Sequence, residues 1–364
     1  MQNIFDNMDA MVEVLQSPVN SRMVEEITKN MMKHSMRGND SVVSSLVILA
    51  GPTAVGKSEL SIRLAKAIDG EIISADSIQV YRHMDIGSAK LPAEERKGVP
   101  HHLIDILDPT EPFHVVLFQS LVRQAITEIR ERGRIPILVG GTGFYIQAVL
   151  YDIDFTDEGE DIALRESLEE AAKIQGPEVL YEKLMAIDPK ACESIHANNI
   201  KRVIRAIEFY EKTGKRISEH NKEQRRKNSP YRYAYFVLHD ERARLYERID
   251  KRVDTMLNKG LIDEVEHLKG MGCEPDMVSM QGLGYKEILQ YLNGDCTLED
   301  AVYRIKRDTR HFAKRQMTWF RREKDVIWIS RSDYDKEHCP DQDGAILEDI
   351  LKHLADRGII NELA

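Results

Sequence analysis

Gly51 to Ser58 read GPTAVGKS, a glycine-rich turn closed by a lysine and a hydroxyl. The spacing G-x-x-x-x-G-K-[ST] suits an anion. Gly51 and Gly56 let the chain curl so that backbone N–H groups across Thr53, Ala54 and Val55 point inward. The helix expected after the turn adds the positive end of its dipole. Lys57, expected to face solvent, reaches phosphate oxygens, and Ser58 offers a hydroxyl to magnesium. The motif specifies phosphate or diphosphate; it does not specify ATP.

A P-loop protein that hydrolyses ATP or GTP usually ends a later strand with a metal-holding aspartate. The best later strand here, RIPILVGGTGFY, ends in Gly140-Gly141-Thr142. The acid nearest the P-loop by topology is Asp76, in ISADSIQVY. A carboxylate at the carboxyl end of a parallel strand faces the ligand crevice. The competing reading of Asp76 is a helix cap or turn residue, and that of Thr142 a capping hydroxyl.

The elements that must position these residues follow from periodicity. LVILA (Leu46–Ala50) is a continuous apolar run, as in a strand buried on both faces. A helical pattern runs through Ile68. Strands are expected at Glu71–Ser74, Leu103–Ile106 and Ile135–Val139, with a helix over His114–Arg132. Such alternation predicts an α/β core with a parallel sheet flanked by helices. It stops near Phe155, and Asp161 to Arg226 shows only helical periods. A strand pattern returns at Tyr233–Leu238, followed by helices over Arg242–Lys259 and Leu298–Arg322 and a closing strand at Val326–Ile329. The expected organisation is an extension over 1–44, with a helical pattern only around Val12–Met32, and a core of 45–155 with 227–331. A helical insertion over 156–226 and a C-terminal helical tail over 332–364 complete it.

The chain has 364 residues and a net charge of −10, which argues at first against a nucleic-acid partner. The average hides a segregation: residues 201–227 carry +6 and residues 301–324 carry +7, leaving −23 elsewhere. Such a chain can grip a polyanion locally, although a solvated helix face has the same composition. No apolar run is long enough for a membrane span. Asp6, Asp9 and Glu13 stand where a signal peptide would be basic or apolar, so a cytoplasmic location is expected. Cys192, Cys273, Cys296 and Cys339 are 81, 23 and 43 residues apart, with no CxxC pair, and read as free thiols.

GPTAVGKS, ISADSIQVYRHMDIGSAK, PHHLIDILDP and GRIPILVGGTGFYIQAVL, in that order, resemble the tRNA dimethylallyltransferase (isopentenyltransferase) family. RIDKRVDTML, MQGLGYKEI and TRHFAKRQMTWFRR resemble its later blocks. The likeness spans about Leu46 to Ile329. It implies a P-loop NTPase-like fold and transfer of a dimethylallyl group from its diphosphate to the exocyclic amine of the adenosine 3′ of a tRNA anticodon. It gives Asp76 the role of base, Thr142 a substrate contact beside it, and Arg248 the diphosphate. It implies tRNA contacts at Asp76, Ser77, Ile78 and Gln79, at Arg165, and at Lys201, Arg202 and Arg205. Further contacts are implied at Gln281, Gly282, Gly284, Tyr285 and Lys286, and at Arg310, Lys314, Arg315 and Gln316. Many members carry Gln where this chain has Lys201, which favours a phosphate over a base contact there. Tyr285 and Trp319 also suit ordinary packing.

Magnesium is the implied cofactor; the tRNA anticodon stem-loop and dimethylallyl diphosphate are the implied partners, with no membrane and no obligate protein partner. The alternatives are an isopentenyltransferase acting on free adenine nucleotides, a small-molecule P-loop kinase and an RNA-binding regulator. The first needs no RNA-gripping insertion, the second does not account for the basic helices, and an intact Lys57, Ser58 and Asp76 speaks against the third.

Overall fold

The computed structural model describes residues 44–155, 162–224, 226–334 and 340–361. The expected N-terminal helix and Cys339 lie outside them. The chain divides into two compact units, with boundaries at Leu150/Tyr151 and Ser229/Pro230.

The larger unit is built on a sheet of order β3-β2-β4-β1-β5-β6, parallel throughout. Strand β1 (Ser44–Ala50) is central, between β4 (Ile135–Gly140) and β5 (Tyr231–His239). Beyond β4 come β2 (Gly70–Ala75) and the two-residue β3 (His101–His102); beyond β5 comes β6 (Val326–Ser330). Residues 46–50 are fully buried, as their unbroken apolar run requires of a strand covered on both faces. The chain passes from β1 to β2 on one side of it, and after β4 it crosses to β5 and β6 on the other. The crevice at the carboxyl ends of β1 and its neighbours is therefore a topological switch point.

The expected strand over Leu103–Ile106 does not form. Leu103 and Asp105 adopt φ of +61° and +58°, in the left-handed region that a strand excludes. The ladder stops at His102, and this short edge rests on two paired residues.

Helices cover both faces. They begin with α1 (Lys57–Ala67), α2 (Val115–Glu131) and α3 (Gly143–Leu150), and five more follow the insertion. His114 caps α2, its Nδ1 accepting from Leu117 N at 3.2 Å. The later helices are α8 (Arg242–Asn258), α9 (Leu261–Gly270), α10 (Tyr285–Leu292), α11 (Leu298–Phe320) and α12 (Gln342–Asp356). The expected C-terminal tail is thus a core element over α12. Its Ile346, Ile350 and Leu354 are fully buried in the cluster that holds Val47, Leu49 and Phe236.

The smaller unit, Tyr151–Ser229, contains α4 (Ile162–Gln175), α5 (Pro177–Ile187), α6 (Ile200–Thr213) and α7 (Ile217–Gln224). Leu168, Leu180, Leu184, Val203 and Ile207 form its own core. Buried Asp188 ties two of its segments, accepting from Ala191 N at 3.1 Å and from Ser218 N and Oγ at 2.9 and 2.7 Å.

Candidate active site

The P-loop, Asp76 to Gln79 and Thr142 follow the carboxyl ends of β1, β2 and β4, whereas the other candidates of the larger unit lie on α8, α10, α11 and the turn before α10. The loop after β1 closes with Gly56 at φ +95°, a left-handed value that glycine adopts without strain, and this turns the chain into α1. Lys57 is half-buried rather than solvent-facing. Its ammonium folds over the loop and donates to the carbonyls of Gly51 at 3.0 Å and Pro52 at 2.8 Å. Burial, with the charge of Arg252, brings its pKa down to about 7, and Asp76 opposes that fall. Ser58 is exposed on the first turn of α1.

Asp76 follows β2. Its Oδ1 accepts from the backbone N–H of Ile78 at 2.9 Å and of Gln79 at 3.4 Å, while Oδ2 has no partner among the described residues. The Asx turn expected as a competing reading is therefore present, and it leaves one carboxylate oxygen available. Tyr145 is buried nearby, stacked on Phe118 at 4.5 Å between centroids. Burial, Tyr81 and Asp76 together hold its phenol protonated. Gln79 spends both ends of its amide internally: Oε1 accepts from Ser74 Oγ at 3.1 Å and Nε2 donates to Ser88 O at 3.2 Å.

Arg248, the arginine expected on the diphosphate, is paired with Asp240 at the end of β5. One helical turn on, Arg252 reaches the P-loop. Its Nη1 stands 3.5 Å from Thr53 Oγ1 on the P-loop. Burial lowers its pKa, with Asp76 raising and Arg248 lowering it further, so Arg252, Asp76 and Lys57 share one electrostatic neighbourhood. Sequence spacing did not single it out, because both arginines lie on one face of α8, four residues apart.

Thr142 follows β4 and is half-buried; its carbonyl accepts from Tyr145 N at 3.0 Å and Ile146 N at 3.2 Å. The glycines around it answer to α11. A Cβ on Gly141 would meet Gln316 Nε2 at 2.2 Å, and one on Gly143 would meet Trp319 Cδ1 at 2.1 Å. Gln316, expected on tRNA, is buried instead as a strut. Its Oε1 accepts from Thr53 N at 2.9 Å and its Nε2 donates to Gly141 O at 3.0 Å. Both ends are used, and they join the loop after β1 to the loop after β4.

Tyr285, also expected on tRNA, is fully buried and cannot present its ring to RNA. Its hydroxyl donates to Glu264 Oε1 at 2.8 Å and accepts from Ser88 N at 3.1 Å. Glu264 further accepts from the N–H groups of Asp85, Ile86 and Gly87 at 2.8, 2.7 and 3.0 Å. This clamp on the loop beyond Gln79 escaped sequence reasoning, since nothing local sets Glu264 apart from Asp263 and Glu266 on the same helix. Gly284 is a buried helix cap, with N–H donated to Glu287 Oε2 at 2.8 Å, whereas Lys286 is exposed. Gly282 packs against Ile78, and Gln281 donates to Pro275 O. Along α11, Lys314 is exposed, Arg310 pairs with Asp250 at 2.6 Å, and Arg315 lies over the Phe312 ring at 5.7 Å.

In the smaller unit, Arg165 is held by nearly buried Glu208, with both Nε and Nη2 on Oε2 at 3.0 and 2.8 Å. Lys201 and Arg205 are exposed one turn apart on α6; Arg202 is half-buried, its backbone N–H capped by Asn199.

A family model described as IPP transferase matches residues 79–323, and one described as isopentenyl transferase matches residues 44–105. The tRNA dimethylallyltransferase of Lachnoclostridium phytofermentans is 58% identical over 86% of this chain and 99% of its own. That of Carboxydothermus hydrogenoformans is 55% identical over 78% and 91%. A solved tRNA isopentenylpyrophosphate transferase from Bacillus halodurans superposes with a TM-score of 0.65 at 46% identity, covering 86% of this chain and 98% of its own. A eukaryotic dimethylallyltransferase solved acting on tRNA gives 0.72 at 32% identity, over 85% and 80%. With the parallel sheet, the P-loop and the ordered blocks already in place, these matches show that the chain belongs to the IPP transferase family.

Proposed function

We propose that this chain transfers a dimethylallyl group from dimethylallyl diphosphate to the exocyclic amine of the adenosine 3′ of a tRNA anticodon, releasing diphosphate. The observation that carries this reading is the gathering of Lys57, Arg252 and Asp76 around a P-loop whose neighbouring strand β4 ends in glycine. Cations and backbone N–H groups suit a diphosphate that departs, and one carboxylate suits a proton that must be accepted.

In this reading the adenine amine attacks the allylic carbon as the carbon–oxygen bond breaks. The bonding pair leaves on the diphosphate, facing the P-loop amides, Lys57 and Arg252. The amine is a weak nucleophile because its lone pair is delocalised into the ring. Asp76 Oδ2 takes its proton, while Oδ1 stays on the turn N–H groups and fixes the carboxylate's direction. Thr142, on the loop joined to the P-loop by Gln316, contacts the substrate beside Asp76.

Magnesium fits the donor set. No cluster of three or more His, Cys, Asp or Glu side chains able to hold a metal occurs among the described residues, so most ligands would be diphosphate oxygens and water, with Ser58 Oγ as the protein's own. The ion would supply charge against the leaving group.

The tRNA anticodon loop presents single-stranded bases, and its target must be turned out of the stack to reach Asp76. Lys201, Arg202 and Arg205 of the smaller unit, with Lys286 and Lys314 of the larger, supply cations for its backbone. No helix among the described residues is long and apolar enough to cross a membrane, and a tRNA substrate suits a cytoplasmic place of work. Mass spectrometry of tRNA nucleosides after incubation with the donor tests the reading: it expects a dimethylallyl mass gain on one adenosine. Modification of free adenine nucleotides with tRNA untouched would contradict it.

A further inference from the structure

The segment after β2 leaves Asp76 and folds back beside it in a tight turn. Lys90 N donates to Asp85 O at 2.9 Å and Ala89 N to Ile86 O at 3.0 Å. The four successive N–H groups of Asp85 to Ser88 are met by two side chains remote in sequence. Glu264 Oε2 accepts from Asp85 N and Ile86 N at 2.8 and 2.7 Å, and Oε1 accepts from Gly87 N at 3.0 Å. Ser88 N donates to the Tyr285 hydroxyl at 3.1 Å, and that hydroxyl donates to Glu264 Oε1 at 2.8 Å. Burial and the Glu264 charge hold the phenol protonated, so it accepts from one neighbour while donating to the other. Gly87 makes the close approach possible: a Cβ there would meet Cε2 and Cζ of the Tyr285 ring, both at 2.6 Å.

The turn held in this way meets the site at Ser88. The Ser88 carbonyl accepts from Gln79 Nε2 at 3.2 Å, and Gln79 Oε1 accepts from Ser74 Oγ on β2 at 3.1 Å. Gln79 is thereby fixed at both ends of its side chain. Its backbone N–H and that of Ile78 are the donors that orient Asp76 Oδ1. The segment before α10 also supports Ile78, since a Cβ on Gly282 would meet Ile78 Cδ1 at 3.2 Å. Hydrogen bonds to a carboxylate are stronger than those to a neutral acceptor, so Glu264 is the firmest point of this chain of contacts.

We infer that Glu264 is a positioning residue for the transfer: on the reading of Asp76 as the base, it fixes the direction of the Asp76 carboxylate through the turn at 85–88, Ser88 and Gln79. The P-loop is tied separately, by Gln316, to the loop after β4. Loss of Glu264 should therefore disturb the proton acceptor and spare the diphosphate site.

The test is a double-mutant cycle on the full chain: wild type, Glu264→Gln, Asp76→Asn and the two combined. Single-turnover transfer is measured at saturating tRNA and donor, and inorganic pyrophosphate binding by calorimetry with magnesium. Glu264→Gln turns an amide NH2 toward N–H donors. It should slow transfer by about ten- to hundredfold, the cost of a misplaced reacting group, and leave pyrophosphate affinity unchanged. In the Asp76→Asn background it should cost less than about threefold, because the group it directs no longer takes the proton. Equal fold losses in both backgrounds, a normal rate in folded Glu264→Gln, or a matching loss of pyrophosphate affinity overturns the inference. A near-normal rate in Asp76→Asn alone overturns the base reading, and the inference falls with it. Should Glu264→Gln not fold, Tyr285→Phe takes its place in the cycle. It removes one hydroxyl and should slow transfer by about two- to tenfold with Asp76 present and hardly at all with Asn there. Equal losses again overturn the inference.

Discussion

Asp76 divides its two oxygens between folding and chemistry. Oδ1 holds the turn through Ile78 N and Gln79 N, and Oδ2 has no partner among the described residues. Asp76→Asn keeps the turn acceptor but cannot take a proton at neutral pH. Single-turnover transfer should fall by about 10²–10⁴-fold, the usual worth of a positioned base, while tRNA affinity and melting temperature change little. A near-normal rate at saturating substrates would move the proton acceptor to the departing diphosphate. Lys57 carries a linked expectation. With its pKa at about 7, set by burial and Arg252 against Asp76, the lysine is largely neutral a unit above that value. A bound diphosphate favours the charged form, so binding there takes up a proton. Calorimetry in buffers of differing ionisation enthalpy should find up to about one proton more taken up by wild type than by Lys57→Ala. Equal uptake would mean that Lys57 is already charged. The two arginines of α8 also separate. Arg252→Gln should impair donor use in a folded protein. Arg248→Ala should mainly lower stability, by about 1–3 kcal/mol, because it strands the buried carboxylate of Asp240. Equal donor defects in both would reverse that division.

At the scale of elements, α11 does two jobs on two faces. Its exposed side carries Lys314, and its buried side carries Gln316 and Trp319 into the loops after β1 and β4. Gly143→Ala would drive a methyl into the Trp319 ring and should destabilise the protein by about 1–3 kcal/mol, as overpacking does. Thermal melting beside donor KM and kcat checks this, and an unchanged melting temperature would show that α11 yields. The strands β1 and β4 were legible because buried parallel strands need unbroken apolar runs, and α2 because its apolar face repeats at helical spacing. Leu103–Ile106 misled for a related reason: its apolar residues suit burial, but they lie in a turn whose φ values depend on packing. The strut at Gln316 and the clamp at Glu264 were not legible at all. Each joins residues more than 170 positions apart, and nothing local marks an amide or a carboxylate for that use. That Arg252 rather than Arg248 reaches the P-loop lay beyond the same limit, since helical spacing gives a face and not a depth.

For the molecule as a whole, net charge conceals the division that matters. The basic excess over residues 201–227 falls within the smaller unit, and that over 301–324 lies on α11 and just past it. If these surfaces hold tRNA phosphates, Lys201→Glu with Arg205→Glu should weaken tRNA binding. The log–log salt slope should fall by about one for each phosphate that is no longer neutralised. An unchanged slope would make α6 a solvated face. The most direct test of the whole account is the balance of products in a reaction without ATP. Given tRNA, dimethylallyl diphosphate and magnesium, the chain should release one pyrophosphate for each dimethylallyl-adenosine formed, with no nucleotide consumed. A requirement for ATP, with ADP released in step with product, would contradict it.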